Sequence, residues 1–448
     1  MRRQLGQALL AALTAAMIVS ACGGQPSPTS PSAPMVSSAG SARSTTETLR
    51  FTHPTEITNP FYPVSSIGQS ISLGTKGGQS YRSEVTVLPD SRSITWDGQQ
   101  TEVRVSQSVV YAGGKLVEVG YDYFAQADDG SVYLLGEDVT HYRDGKAVDQ
   151  KGSWLAGKDD AAPALMMPAH PQIGQVFNSQ NLPGVMVETG EVVSLNEKAT
   201  TPAGPIADAL LIKETAIDGE IEYRVYAANY GIVESRANNG QVNLVWLNRT
   251  DAKPQTVPDP LSTIEAQAED MMDVVPRDRW ERVTADLADI TQAWQAYQKQ
   301  ATIDHVPQPF QAAFTAALDR LHKAVTDQEA AGTLQAANDL SAAVFDLFTV
   351  YRPATPADLG RLDVLERQIV LDTVAKDFPA AANSLAITRS IWARLKPDIL
   401  AQRGSAAATR FENSLAMQQT ALGTRDASAL TAEASDALEL VDKLEQLY

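Results

Sequence analysis

Cysteine is almost absent. Cys22 is the one thiol in 448 residues, so no disulfide can form within the chain and its folded parts must rest on cores large enough to do without one. Histidine is nearly as scarce: His53, His141, His170, His305 and His322 never fall at an i, i+4 or short-loop spacing, which leaves no pattern for a zinc-type site. Neither a metal nor a cofactor is expected. Positive charge is in deficit, with 36 Lys and Arg against 54 Asp and Glu and a formal net charge of −18. Nucleic acid rewards a basic face, so no nucleic-acid partner is expected. Catalytic signatures are missing too: there is no Gly-x-Ser-x-Gly elbow, phosphate-cradling glycine loop or dinucleotide fingerprint, and no catalytic residue is assigned. Long apolar runs are confined to Leu9–Val19, interrupted by Thr14. At about a dozen residues that run is short of the roughly 20 needed to span a bilayer.

What the N-terminus does contain is specific. Arg2 and Arg3 precede the apolar run, and Val19-Ser20-Ala21-Cys22-Gly23 ends it with small residues before the thiol. This resembles the lipobox of bacterial lipoproteins, with Val19 where leucine is commoner. The resemblance implies cleavage after Ala21, a diacylglyceryl group on Cys22 and acylation of the new amino group, which together make a stable membrane anchor. Residues 1–21 are then a signal peptide. Residues 22–46 follow as an acylated cysteine and tether, rich in Pro, Ser, Gly and Thr, too polar to order itself and with an rms reach of about 25–30 Å. The expected location is extracytoplasmic, at the cell envelope, with the membrane as a partner through lipid; which leaflet stays open.

Glycine divides the rest. Of 28 glycines only Gly332, Gly360, Gly404 and Gly423 lie beyond residue 260, so an antiparallel all-β domain over 47–255 is expected to precede an all-α domain over 260–448. In the first half, Thr101–Tyr111, Leu116–Phe124, Ser131–Leu135, Val185–Leu195, Ala209–Thr215, Glu222–Ala228 and Val242–Leu247 read as strands. Gly113-Gly114, Asp128-Asp129-Gly130, Asp144-Gly145, Asp218-Gly219 and Asn239-Gly240 supply the turns. About ten to twelve strands are predicted, in one curved sheet, a half-barrel or a sandwich.

Four blocks in this half carry a second likeness. Asn59-Pro60-Phe61-Tyr62-Pro63, Tyr121–Gln126 with Asp129–Tyr133 and Gly136-Glu137-Asp138, Gly152–Gly157, and Met167-Pro168-Ala169 resemble an uncharacterised family of exported bacterial β-proteins. The likeness covers roughly residues 50 to 250 in order and implies no particular activity. Tyr123 stands where that family has tryptophan, and Leu134-Leu135 where it has an aromatic pair.

In the second half Phe310, Phe314, Leu318, Leu321 and Val325 place one apolar stripe on a helix. Asp278, Asp327, Asp377 and Asp426 recur at nearly even spacing, each expected near a helix start where a carboxylate can accept from free N–H groups. Four helical hairpins follow. They must stack into a bundle or a short solenoid, because none can bury its stripe alone. Asp286, Asp289, Asp339 and Asp346 read as solvated positions, while Trp280, Trp294, Tyr297, Phe345, Phe348 and Trp392 read as core.

The candidate ligand-binding residues are Tyr121, Tyr123, Tyr133, Glu137, Asp138, His141 and Trp154: aromatics to line a cleft, carboxylates and one imidazole to orient a ligand. Each also has a plainer structural role open to it as core, turn or exposed surface. The expected function is a lipid-anchored, non-enzymatic protein that binds a ligand or envelope component through the β domain, with the helical domain as an interaction or spacing module and an envelope component or another protein as partner. An envelope polysaccharide hydrolase using β-domain carboxylates and a cation-handling protein are the alternatives. Glu137 and Asp138 are adjacent on a strand and point to opposite faces, which disfavours their acting together on one glycosidic bond.

Overall fold

The computed structural model describes residues 49–182 and 186–448. The expected signal peptide with its cleavage after Ala21, the expected lipidation at Cys22 and the expected tether lie outside the described residues. Within them, fourteen strands form one antiparallel sheet and eight α-helices follow.

The strands are β1 Ile67–Lys76, β2 Gln79–Trp96, β3 Gln99–Ala112, β4 Lys115–Gln126, β5 Val132–Arg143, β6 Lys146–Asp149 and β7 Trp154–Leu155. There follow β8 Ala164–Met167, β9 Val176–Leu182, β10 Met186–Thr201, β11 Gly204–Thr215, β12 Ile221–Ala227, β13 Gly231–Ala237 and β14 Gly240–Arg249. Most neighbours in the sheet are neighbours in sequence, as short glycine turns dictate. The first and last strands pair, with Ile71 opposite Trp246. The far edge of β5 accepts β6, β7 and β8 in succession. β9 lies beside β8, and Gln180 of β9 donates to Glu137 of β5 at 3.1 Å. One sheet thus curls shut around its own interior.

The strand count exceeds the expectation chiefly through β2 and the short edge strands. Pro89-Asp90-Ser91 breaks the alternation that marks a strand, but it falls at the register shift between Val87 and Ser91, where a bulge tolerates proline. One end of the barrel is plugged by residues 51–66. Ile57 is fully buried there, and Tyr62 packs at 5.3 Å from Phe124.

The helices are α1 Asp259–Val274, α2 Trp280–Ile303, α3 Gln308–Thr326, α4 Ala330–Tyr351, α5 Ala357–Val374, α6 Phe378–Ala401, α7 Ser405–Thr424 and α8 Ala427–Glu445. They pair as the four expected hairpins. Contacts of α1 with α4 and of α5 with α8 then close two four-helix bundles, each with its own core: Phe310, Phe314 and Leu321 in the first, Leu362, Phe411 and Leu430 in the second. Among the described residues no helix is long and apolar enough to cross a membrane.

Two of the four evenly spaced aspartates cap as expected: Asp377 accepts from Ala380 N at 3.1 Å and Asp426 from Ala429 N at 3.0 Å. The others do not. Asp278 accepts from the Trp280 indole, and Asp327 closes α3 while Glu329 caps α4. Two of the predicted solvated acids are also corrected. The Asp286 side chain is fully buried beside Arg282 at 2.9 Å, and Asp346 is enclosed between two arginines.

The helices lie against the outer wall of the barrel. Ile71 and Trp246 belong to the core of the first bundle, and Leu116 N donates to Asn383 Oδ1 of α6 at 2.9 Å. The β5–β6 turn reaches the same helix: Asp144 and Gly145 both have positive φ, 48° and 71°, and a Cβ on Gly145 would fall 2.1 Å from the Ala382 carbonyl carbon. Gly145→Ala is therefore expected to destabilise by about 2 kcal/mol or more, left-handed strain plus collision. Gly78→Ala, at φ 76° with open space around it, should cost only the strain of about 1 kcal/mol. Equal urea midpoints for the two variants would refute the packing argument.

Candidate functional site

The curl of the sheet separates the seven sequence-selected residues. Glu137 and Trp154 point into the barrel, where the Trp154 indole donates to Glu137 Oε1 at 3.2 Å. Burial pushes the Glu137 carboxyl well above its usual range, and Asp122 and Glu118 reinforce the shift. His141 is half-buried on the same strand, with Nδ1 at 2.7 Å from Asp149 and Nε2 at 3.4 Å from Glu118. Its hydrogen bond to Glu118, opposed by burial and aided by Asp149, raises its pKa.

Asp138 is exposed and Tyr121 half-buried, whereas Tyr123 is buried within an apolar core cluster. Tyr123 donates to Asp138, Arg92 also bonds Asp138 at 3.0 Å, and the Arg92 guanidinium lies 4.4 Å from the Tyr123 ring centre. Tyr121 accepts from Gln107 at 3.2 Å beside α6. Tyr133 is half-buried with Phe51 edge-on at 6.0 Å. No single cleft gathers all seven.

Deeper in the barrel, Arg224 is nearly inaccessible and bonds Glu214 at 2.9 Å and Glu222 at 3.1 Å; Lys76 reaches Glu222 at 2.9 Å. Burial opposes ionisation of Glu222, but Arg224 and Lys76 overcome it and lower its pKa to about 2. Burial outweighs Arg224 at Glu214, which is raised. These are enclosed charges, tied to one another rather than presented to a ligand.

Three of the four sequence blocks, those of Asn59, Asp129–Tyr133 and Met167-Pro168-Ala169, meet at the plugged end. Asn59 Nδ2 donates to Gly130 O at 3.0 Å and Pro168 O at 3.2 Å, and Ser131 Oγ accepts from Ala169 N at 3.1 Å. Three segments far apart in sequence are tied together by a buried amide, which gives these residues a structural reason to occur together. A cavity of about 100 Å³ at this end has apolar walls including Val85, Val87 and Phe124.

Larger spaces lie on the seam between the barrel wall and α4, α5 and α6. Two adjoining recesses of about 380 Å³ each share Gly114, Ala342, Val364, Leu365 and Ile387. One is walled by Tyr81, Tyr111, Leu73 and Ile391 above a buried ion cluster. In that cluster Arg82 bonds Asp346 and Glu84, both at 2.7 Å; Arg361 bonds Asp346 at 2.5 Å and Asp358 at 3.2 Å; and Arg394 bonds Asp358 at 2.6 Å and Glu84 at 3.0 Å. Although burial opposes it, the three guanidiniums hold the Glu84 carboxyl far below its usual range. The second recess is lined by Asp144, Asp339, Asp372, Asp377 and Asn338, with Lys115 at its rim paired to Asp144 at 3.0 Å.

Sequence reasoning missed this site because its walls come from different domains. Helical period shows that Asp339 and Asp346 leave the helix core but not what they meet. No family model, curated protein or solved structure matches the chain.

Proposed function

We propose that this chain is a lipid-anchored, extracytoplasmic, non-enzymatic binding protein of the exported β-protein type, and that its ligand sits on the seam between barrel and helices. The observation that carries the reading is the pair of adjoining recesses of about 380 Å³ each. Small-molecule seats of roughly 300–1,000 Å³ commonly occur where domains meet. The cavity at the plugged end, about 100 Å³, is below that range. Glu137 is enclosed while Asp138 faces out, so this pair lends nothing to polysaccharide hydrolysis, which needs two carboxyls converging on one bond. The helical half serves here as the second wall of the seat, while the anchor keeps the body at the membrane.

Two measurements test the proposal. Intact-mass analysis of the mature protein is expected to show residues 1–21 removed and a diacylglyceryl group on Cys22, and Cys22→Ser should move the protein wholly into the soluble fraction. A mature protein with an unmodified thiol refutes the anchor. The seat is tested with Ala342→Phe, which adds bulk at an exposed helix position lining both recesses. It should abolish the thermal stabilisation given by a small-molecule extract of the envelope and leave the unliganded melting temperature nearly unchanged. An undiminished shift in the variant removes the seam as the seat.

A further inference from the structure

We propose a second binding site, at the plugged end of the barrel and separate from the seam: the cavity there takes the hydroxyl end of a neutral primary alcohol, seated head-inward on Tyr62 and Ser72. Tyr62 comes from the segment that closes the barrel and Ser72 from β1, and both line the cavity. They are only 9% and 4% exposed. Neither hydroxyl has a hydrogen-bond partner among the described residues, and neither oxygen is sealed in the packing as the Tyr226 hydroxyl is, so both face open space. A buried hydroxyl without a partner is costly, and two of them on one cavity ask for a molecule that can bond both.

The surroundings decide that this molecule is uncharged. No charged residue lines the cavity among the described residues. Asp122 accepts from the lining residue Ser106 at 3.4 Å but is itself fully buried behind it, so its charge is not presented. An ammonium or a carboxylate would shed its water against Val85, Val87 and Phe124 with no counter-ion to meet. Burial, reinforced by Tyr226 and Asp122, pushes the Tyr62 pKa well above its usual range, and the phenol stays a neutral donor and acceptor. An alcohol matches this pair, with one donor, two acceptor positions and no charge.

Volume and depth set the rest of the ligand. At about 100 Å³ the space far exceeds the roughly 10–15 Å³ that one water needs, and further waters would lie against apolar walls without partners. A dry apolar cavity of about 150 Å³ accepts benzene, so this one holds on the order of four or five non-hydrogen atoms: a hydroxyl and a short alkyl stem. Ser72, Ser106 and Phe124 are buried, while Ile67, Val87 and Ile232 are half-buried. The stem therefore points outward, past apolar side chains.

Fluorine NMR of the full-length anchored protein carrying 3-fluorotyrosine tests the inference, with the Tyr62 resonance assigned by its loss in Tyr62→Phe. Butan-1-ol, titrated by its free concentration, should move that resonance saturably, and butylammonium and butanoate should not. Ser72→Ala should weaken butan-1-ol about fivefold and leave 1-chlorobutane, which lacks the hydroxyl, no weaker. Because the variant removes a hydroxyl that has no partner, it should unfold at no lower urea concentration than the parent. No saturable shift with butan-1-ol would overturn the site and leave the cavity to water. A saturable shift with either ion would overturn the neutral assignment, and butan-1-ol binding unchanged in Ser72→Ala would overturn the head-inward seat.

Discussion

Replacing Arg394 by methionine is expected to lower stability by about 3–5 kcal/mol, the largest loss from any one side chain on the domain seam. The Arg394 side chain is 2% exposed and bonds Asp358 and Glu84 together. Removing it leaves three buried carboxylates, Glu84, Asp346 and Asp358, facing two guanidiniums, Arg82 and Arg361. The cost comes from the stranded charge rather than from the lost bonds, because a balanced buried pair contributes little net stability over apolar packing. The double variant Asp358→Asn/Arg394→Met restores two against two and should recover most of the loss. Urea unfolding followed separately by tryptophan fluorescence and helical circular dichroism measures both. A single-variant loss below about 1 kcal/mol, or a double variant no better than the single, would show that the cluster is not coupled as drawn.

Raising the pH from 6 to 9 is expected to destabilise the helical half, and Glu366→Gln to remove a large part of that effect. Carboxyls from α1, α5 and α8 converge around Arg367. Among them burial pushes Glu265 and Glu445 up to about 7 and Asp363 to about 6, and where α5 meets Gln418 of α7 it pushes Glu366 up to about 8. An unfolded glutamate titrates near 4.3. A group whose folded pKa is raised contributes its full stability below the unfolded value and loses it as pH rises through the folded value. The losses therefore begin near the unfolded value and are complete by about pH 8.

Glu366 is inaccessible, and its Oε2 accepts from Gln418 at 2.9 Å. Glutamine keeps an acceptor there without the ionisation. At pH 9 the variant should be more stable than the parent by on the order of 3 kcal/mol, and at pH 4 nearly equal to it. A difference independent of pH would remove the titration argument. The seam behaves in the opposite sense. Burial opposes the charges of Glu84, Asp346 and Asp358, but their arginines depress all three pKa values. Their stabilisation is present above the unfolded carboxylate range and is lost as pH falls through the depressed values. Acid loosens the seam, and base loosens the packing of α5 against α1, α7 and α8.

Much of the fold was legible because it depends on local pattern. Gly113-Gly114 and Asp144-Gly145 mark hairpins through the positive φ values such turns require. Phe310, Phe314, Leu318 and Leu321 mark the buried stripe of α3 because 3.6 residues complete a turn. The opposed directions of Glu137 and Asp138 follow from strand pleating alone. The candidate site was less legible. Tyr121, Tyr123 and Trp154 were chosen as a set by residue type, but Tyr123 and Trp154 are buried in the core while Tyr121 packs beside α6, and their neighbours are set by curvature.

The sequence by itself determined the order of a β half before an α half, the turns and the helical hairpins, since each is written within a few residues. Only the tertiary structure decided which acids are solvated, which are buried, and where a ligand has room. Arg82 meets Asp346 across 264 positions, Glu84 meets Arg361 across 277, and Gln107 meets Ser390 across 283. Charge and burial at those residues depend on how the barrel wall docks on α4, α5 and α6, and local periodicity carries no record of that docking.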